Sequence, residues 1–127
     1  MKITAHQDLA WLPATHEDPA NPGVLKQVIF SQQDFDPDCG LRMLNFAKIL
    51  PGKSFALHLH DTLEEVFYIL QGEGLIRVGE QEEKISEGMS VLIPKKTKHW
   101  LKNTGQVDLL YLAFGASREV GETRVLA

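Results

Sequence analysis

The amino-acid sequence predicts an all-β domain whose strands form a two-sheet jelly roll (double-stranded β-helix) or a closed barrel. Short apolar stretches recur between turn signals from Gly23 to Gly115, and no interval between Gly40 and Gly115 is long enough for a sizeable helix. A chain of 127 residues has the size of one domain, and its single cysteine, Cys39, excludes an intramolecular disulfide framework. Many short strands leave many sheet edges, which a jelly roll covers within this length.

The sequence divides into three parts. Residues 1–22 hold three prolines among polar and small residues, which predicts an irregular N-terminal arm. Residues 23–115 form the predicted barrel, and residues 116–127 form a C-terminal tail. Strands are predicted by the stretches GVLKQVIFS, LRMLNFAKIL, FALHLH, VFYILQ, GLIRV, SVLI, HWLKN and DLLYLAFG, about eight in all. Gly79-Glu80, between GLIRV and QEEKI, fits a two-residue hairpin turn of the type that takes glycine first.

Composition and charge exclude several classes of protein. The longest apolar runs are far shorter than the roughly 20 residues of a membrane-spanning helix. Asp8 interrupts the N-terminal stretch where a signal peptide would be apolar, so we expect a cytoplasmic protein. With 13 Lys and Arg against 17 Asp and Glu, the net charge of −4 indicates neither nucleic acid nor an anionic membrane as a partner. We therefore expect the function to depend on a local site.

Three histidines on predicted strands are candidate metal ligands. His58 and His60 are two residues apart, so on a strand both side chains point to one face, with Cα atoms roughly 6.5 Å apart. His99 begins a later strand. A carboxylate at the start of the VFYILQ strand can reach back to the histidine pair. Strand alternation leaves Glu64 and Glu65 as alternatives for that carboxylate.

The choice between these two glutamates also decides which apolar side chains point inward. With Glu65 inward, Phe67 and Ile69 face the same side; with Glu64 inward, the assignment reverses. Both faces of this strand are apolar, which indicates that it is covered on both sides.

Two motifs in the chain resemble those of the cupin superfamily. The first cupin motif is matched, spacing included, by Gly52, His58, His60, Glu65 and Gly72. The second is matched by Gly88, Pro94, Thr97, His99 and Asn103. The second motif differs from the family pattern at Lys96, two residues after the proline, where the family usually has glycine. On these positions the chain is identified as similar to small single-domain cupins.

The resemblance implies an RmlC-like β-barrel that holds one divalent metal ion. Carried over residue by residue, the implied ligands are His58, His60, Glu65 and His99, which favours Glu65 over Glu64. Three imidazoles and one carboxylate suit Mn, Fe, Co, Ni, Cu or Zn and leave two positions of a six-coordinate ion open. If the family glycine has a positive φ, either Lys96 adopts that conformation at some cost or the loop has a different shape.

Open coordination positions are consistent with two kinds of function. The first is a metal-dependent enzyme, an oxygenase, isomerase or lyase acting on a small polar molecule. The second is a non-catalytic module that binds or senses a metal or a small molecule. No general acid or base is evident beside the motifs, so the sequence identifies no catalytic residue and leaves both alternatives open.

Two further features indicate partners. The segment that flanks His99 carries Lys95, Lys96, Lys98 and Lys102, and this basic loop predicts attraction of an anionic small molecule such as a carboxylate; ordinary solvation of a loop is the alternative. The two apolar faces of VFYILQ, with the Leu-Trp cluster of the arm, predict a homodimer in which the arm or an edge strand crosses to the partner.

Overall fold

The computed structural model describes residues 1–14, 17–119 and 121–126 of the chain. They form two antiparallel β-sheets that share one apolar core, which confirms the expected all-β jelly roll. Within these residues, no helix has the length and apolar character that a membrane crossing requires.

The described residues contain eleven strands in two sheets. Their bounds are β1 (Leu12–Pro13), β2 (Leu25–Phe30), β3 (Leu41–Ile49), β4 (His58–His60), β5 (Glu64–Gln71), β6 (Glu73–Val78), β7 (Gln81–Ser86), β8 (Ser90–Ile93), β9 (His99–Asn103), β10 (Leu109–Ala116) and β11 (Thr123–Val125). The six-stranded sheet has the order β1-β2-β3-β10-β5-β8, and the five-stranded sheet has the order β11-β4-β9-β6-β7. Strands that are distant in sequence are neighbours in both sheets, as the jelly roll requires.

Both chain ends contribute regular structure that the sequence did not predict. The arm contains a 3-10 turn at His6–Asp8 and strand β1, which pairs with β2 of the same chain. The ring of Trp11 packs against Phe46 on β3, with centroids 5.4 Å apart. The tail contains β11, which pairs with β4. Strands of two or three residues carry too little alternation to be recognised, so the expectation of an irregular arm and about eight strands missed them.

The facing of β5 places Glu65 in the interior. Glu65, Phe67 and Ile69 are buried, whereas Val66 and Tyr68 are exposed on the outer face of the sheet. This alternation confirms the inward assignment that depended on Glu65. A shift of one residue in the register would bring Glu64 inward and expose the two apolar side chains.

The hairpin between β6 and β7 has the predicted turn. Val78 pairs with Gln81, so Gly79 and Glu80 form a two-residue loop. Gly79 has a φ of 63°, which glycine adopts readily and which a type II′ turn requires at its first position.

Lys96 adopts a left-handed backbone conformation, which glycine adopts more readily than other residues. Its φ is 62°, and among the described residues it is the non-glycine residue with a positive φ. The Lys96 N–H donates a hydrogen bond to the His60 carbonyl oxygen, with an N to O distance of 2.7 Å. The left-handed conformation therefore joins the loop before β9 to the end of β4, at a conformational cost that glycine would not carry.

Replacing Lys96 by glycine is expected to stabilise the fold. Loss of the Cβ relieves a strain of roughly 1 kcal/mol, and the larger entropy of glycine in the unfolded chain offsets part of the gain. The urea midpoint of the metal-free protein should rise for Lys96→Gly. The matched control, Lys95→Gly, lacks a positive φ to relieve and should lower the midpoint. An equal decrease of the urea midpoint in both variants would show that the Lys96 backbone is not strained.

Candidate metal centre

Four side chains from both sheets meet inside the barrel. Strand β4 supplies His58 and His60, β9 supplies His99, and β5 supplies Glu65 from the facing sheet. His58 and His99 are direct cross-strand partners. Each of the four offers a potential ligand atom, and these atoms all lie within 4.8 Å of one another. We call this group the His/Glu cluster.

Three ligand-type atoms of the His/Glu cluster are buried without a hydrogen bond. Glu65 Oε1 lies 2.6 Å from His60 Nε2 and 3.3 Å from His99 Nε2, and none of the three atoms has a hydrogen-bond partner. Ligand atoms at bond lengths near 2.1 Å from one ion lie about 3 Å apart when they are adjacent. The spacing of these atoms therefore fits coordination of a common ion, which would satisfy all three.

The other nitrogen of each imidazole has a nearby acceptor. His58 Nδ1 lies 2.6 Å from the Ala56 carbonyl oxygen, and His99 Nδ1 lies 2.9 Å from the Thr97 carbonyl oxygen. A carbonyl oxygen can only accept, so both Nδ1 atoms carry the proton and donate. Both Nε2 atoms are then free of a proton in the neutral rings, which is the form that binds a metal.

Burial and neighbouring imidazoles act in opposite directions on Glu65. Burial raises the pKa of the carboxyl group, whereas the imidazoles of His60 and His99 lower it when the ring nitrogens that face the carboxylate carry a proton. The contacts prevail, and the pKa of Glu65 falls to about 2. Glu65 is therefore a carboxylate at neutral pH, the form that coordinates a cation.

Aromatic side chains support the His/Glu cluster from within the core. The Phe55 ring lies 5.1 Å from the His58 ring and 6.0 Å from the His99 ring, measured between centroids. Phe67 lies 4.8 Å from the ring of Tyr111 on β10. These buried rings restrict the imidazoles to one orientation and reduce the water around the cluster.

A cavity of about 180 Å³ adjoins the His/Glu cluster. His58, His60 and Glu65 form part of its wall. Apolar side chains cover most of the remainder, and the polar groups among them are Lys26, Asn45, Tyr111 and Thr123. A small apolar cavity with a few polar groups beside a potential metal site is typical of a binding site for a small molecule.

The two titratable groups that line this cavity outside the cluster are also shifted. Burial lowers the pKa of Lys26 from its usual value of 10.5, and the Glu65 charge acts in the opposite direction. Burial raises the pKa of Tyr111 well above 10, and the charges of Glu65 and Glu17 add to the effect. Tyr111 is therefore a neutral phenol that can donate a hydrogen bond.

The sequence analysis did not identify Lys26 as a site residue, although its position in β2 indicated that its side chain faces inward. Lys26 shares its facing with the buried Val24, two residues earlier. The signal is obscured because Gln27, on the opposite face of β2, is also buried. The Gln27 amide donates hydrogen bonds to the carbonyl oxygens of His6 and Leu9 in the arm. The arm therefore covers this face of β2, which the sequence of the strand alone does not indicate.

The basic loop predicted to attract an anion does not line the cavity. Lys98 Nζ pairs with Glu80 Oε1 at 2.5 Å, and Lys95 and Lys102 are exposed. Of the lysines and arginines in the described residues, Lys26 is the one that lines the cavity. The positive charge beside the His/Glu cluster thus comes from β2 and not from the loop before β9.

Comparisons with known proteins agree with this architecture. Residues 45–115, more than half of the chain, match the family model described as Cupin domain. An uncharacterized protein of Methanocaldococcus jannaschii is 32% identical over 101 residues, which cover 77% of this chain and 81% of that protein. An oxalate-binding protein of Thermotoga maritima is 35% identical over 72 residues, which cover 57% of this chain and 60% of that protein.

Solved structures show the same fold. The crystal structure of a predicted oxalate decarboxylase from Thermotoga maritima superposes with a TM-score of 0.79 at 24% identity, over 92% of this chain and 99% of that chain. The polyketide cyclase RemF from Streptomyces resistomycificus gives a TM-score of 0.78 at 18% identity, over 100% of this chain and 86% of that chain. With two motifs that each span both sheets and a family match over most of the barrel, this chain belongs to the cupin family.

Proposed function

We propose that this protein binds one divalent transition metal ion through the His/Glu cluster and holds a small carboxylate anion beside it. The observation that carries the proposal is the set of converging atoms, His60 Nε2, His99 Nε2 and Glu65 Oε1, which are buried without hydrogen bonds. Such atoms cost free energy unless a partner satisfies them, and a divalent cation satisfies all of them at once.

The donor set limits the choice of metal. Three imidazole nitrogens and one carboxylate oxygen suit Mn, Fe, Co, Ni, Cu or Zn. These four donors leave two positions of a six-coordinate ion for water or a ligand. A bound ion would act as a Lewis acid toward an oxygen ligand in those positions.

The cavity beside the His/Glu cluster supports a small anion as the ligand. A volume of about 180 Å³ fits a molecule of a few heavy atoms. Lys26 supplies a positive charge and Tyr111 a neutral hydrogen-bond donor on an otherwise largely apolar wall. In an apolar environment such groups interact strongly with a carboxylate. The name of the Thermotoga maritima relative, an oxalate-binding protein, is consistent with this ligand class.

A lyase that acts on the same anion is the second candidate. Lys26 can deliver a proton to a bound molecule, Tyr111 can donate a hydrogen bond to it, and Glu65 is the one carboxylate that lines the cavity in the part of the chain that is described. A site with proton donors and no spare carboxylate base favours a step that adds a proton over one that removes it. Binding without turnover requires the same groups, so analysis of the reaction products distinguishes a lyase from a non-catalytic binding protein.

The outer face of the six-stranded sheet supports a homodimer. Val66 on β5 lies opposite Leu92 on β8 and Phe114 on β10, and the next outward residue of β5 is Tyr68. These four side chains are exposed, Leu92 to 62%, and they form a continuous apolar surface without charges between them. We infer that a second copy of the chain covers this surface, because an uncharged sheet face can pack against itself around a two-fold axis.

Metal analysis tests the His/Glu cluster. Freshly prepared protein should contain about one transition metal ion per chain, and the double variant His58→Ala/His60→Ala should contain none, because two donors do not hold the ion. His6→Ala is the matched control, since His6 lies outside the cluster, and it should retain the metal. Full occupancy in the double variant would overturn the ligand assignment.

Calorimetric titration of the metal-loaded protein with oxalate tests the anion site. Lys26→Met should weaken binding about 10- to 100-fold, the usual effect of losing a hydrogen bond to a charged group. Lys98→Met removes a cation from the basic loop and should leave affinity unchanged. Equal affinities of Lys26→Met and wild type would contradict the proposed role of Lys26. Carbon dioxide and formate released in the same mixtures would indicate the lyase.

Sedimentation velocity at micromolar concentration tests the dimer. Wild type should sediment as a dimer, and Tyr68→Glu should sediment as a monomer because it buries a charge within the apolar surface. Lys84→Glu, an exposed change on β7 of the other sheet, should remain dimeric. A monomeric wild type would exclude the proposed interface.

A further inference from the structure

His60 is oriented differently from the other two histidines of the His/Glu cluster. The Nδ1 atoms of His58 and His99 each face a carbonyl oxygen two residues earlier in their own segment. His60 Nδ1 instead lies 2.8 Å from Thr123 Oγ1, a side chain 63 residues away on the last strand. The orientation of this imidazole therefore depends on a distant part of the chain.

The hydroxyl group of Thr123 has the chemistry that this position requires. For His60 Nε2 to coordinate a metal, the proton of the neutral ring must reside on Nδ1. Thr123 Oγ1 has lone pairs that accept a hydrogen bond from this N–H. A partner of this kind holds both the tautomer and the plane of a ligating imidazole.

Main-chain hydrogen bonds hold Thr123 opposite His60. In the antiparallel pair of β11 and β4, Thr123 is the direct partner of His60. The Asp61 N–H donates to the Glu122 carbonyl oxygen at 2.9 Å, and the Leu126 N–H donates to the Leu57 carbonyl oxygen at 2.8 Å. These bonds flank the strand pair on both sides and fix its register.

Side chains of the tail reinforce the same register. Arg124 pairs with Asp61 at 2.7 Å, and the Thr62 hydroxyl group donates to the Glu119 carbonyl oxygen at 3.1 Å. The tail therefore meets the segment after β4 at several points. Of these contacts, the one from Thr123 reaches a residue of the His/Glu cluster.

Strand β4 has little other support at this end. Its pairing with β9 is limited to the partners His58 and His99. On the His60 side, the strand neighbour is β11, and the loop adds the hydrogen bond from the Lys96 N–H. Loss of the Thr123 contact would leave the His60 ring without its side-chain acceptor.

We propose that Thr123 is a positioning residue for His60, so that the C-terminal strand β11 is a component of the metal centre. The inference rests on the proposed metal binding and adds a requirement that neither family motif contains. Metal binding and docking of β11 are then coupled reciprocally, since each stabilises the arrangement that the other needs.

Cobalt substitution of the full chain tests this role with a readout at the imidazoles themselves. In the proton NMR spectrum of the Co²⁺-loaded wild type, each ligating histidine should give an exchangeable N–H signal shifted by the metal. Thr123→Val should weaken Co²⁺ affinity about 10- to 100-fold, the usual effect of losing an outer partner of a ligand. It should also broaden the N–H signal of His60 through faster exchange with water. Thr123→Ser keeps the hydroxyl group and should restore both properties.

A matched control separates positioning from simple attachment of the tail. Thr62→Val removes another hydrogen bond to the tail without touching the His/Glu cluster, and it should preserve both the affinity and the N–H signals. Wild-type affinity and three sharp signals in Thr123→Val would overturn the inference. If Thr123→Val does not fold, Thr123→Ala is measured in its place with the same expected losses. Failure of the wild type to bind Co²⁺ would instead overturn the proposed function.

Discussion

The registers of the two sheets determine whether a metal site exists in this protein. His58 meets His99 because β4 and β9 pair at that position, and Glu65 reaches them from the facing sheet because of the pairing of β5 with β8 and β10. A slip of one residue in β5 would remove Glu65 and also expose Phe67 and Ile69. The packing of the core therefore enforces the geometry of the His/Glu cluster.

The apolar surroundings give the charges of the site their strength. A buried carboxylate such as Glu65 is costly unless charged or polar groups face it, and the imidazoles of His60 and His99 reduce that cost in the absence of a metal when they are protonated. Beside them Phe55 and Phe67 keep the effective dielectric low. A cation that enters the cluster meets a preformed negative charge with little competing water, which favours coordination over hydration.

The sequence was sufficient for the fold class and for the facing of the candidate ligands. Alternation predicted that His58 and His60 share a face, and the resemblance to cupin motifs chose Glu65, which the structure places inward. Lys26 and Thr123 were missed for physical reasons. The strand of Lys26 is covered on both faces, which obscures its alternation. Thr123 contacts His60, which is 63 residues away in the sequence. It lies on a strand of three residues that has no apolar pattern.

Both chain ends brace the short strand that carries two of the four cluster residues. From the arm, the Glu17 carboxylate accepts a hydrogen bond from the Ala56 N–H at 3.1 Å, and the Ala56 carbonyl oxygen faces His58 Nδ1. From the tail, Thr123 faces His60 in the same way. A strand of three residues cannot hold two imidazoles by its own ladder. The barrel therefore supplies the frame, and the least regular segments of the chain supply the final orientation of the site.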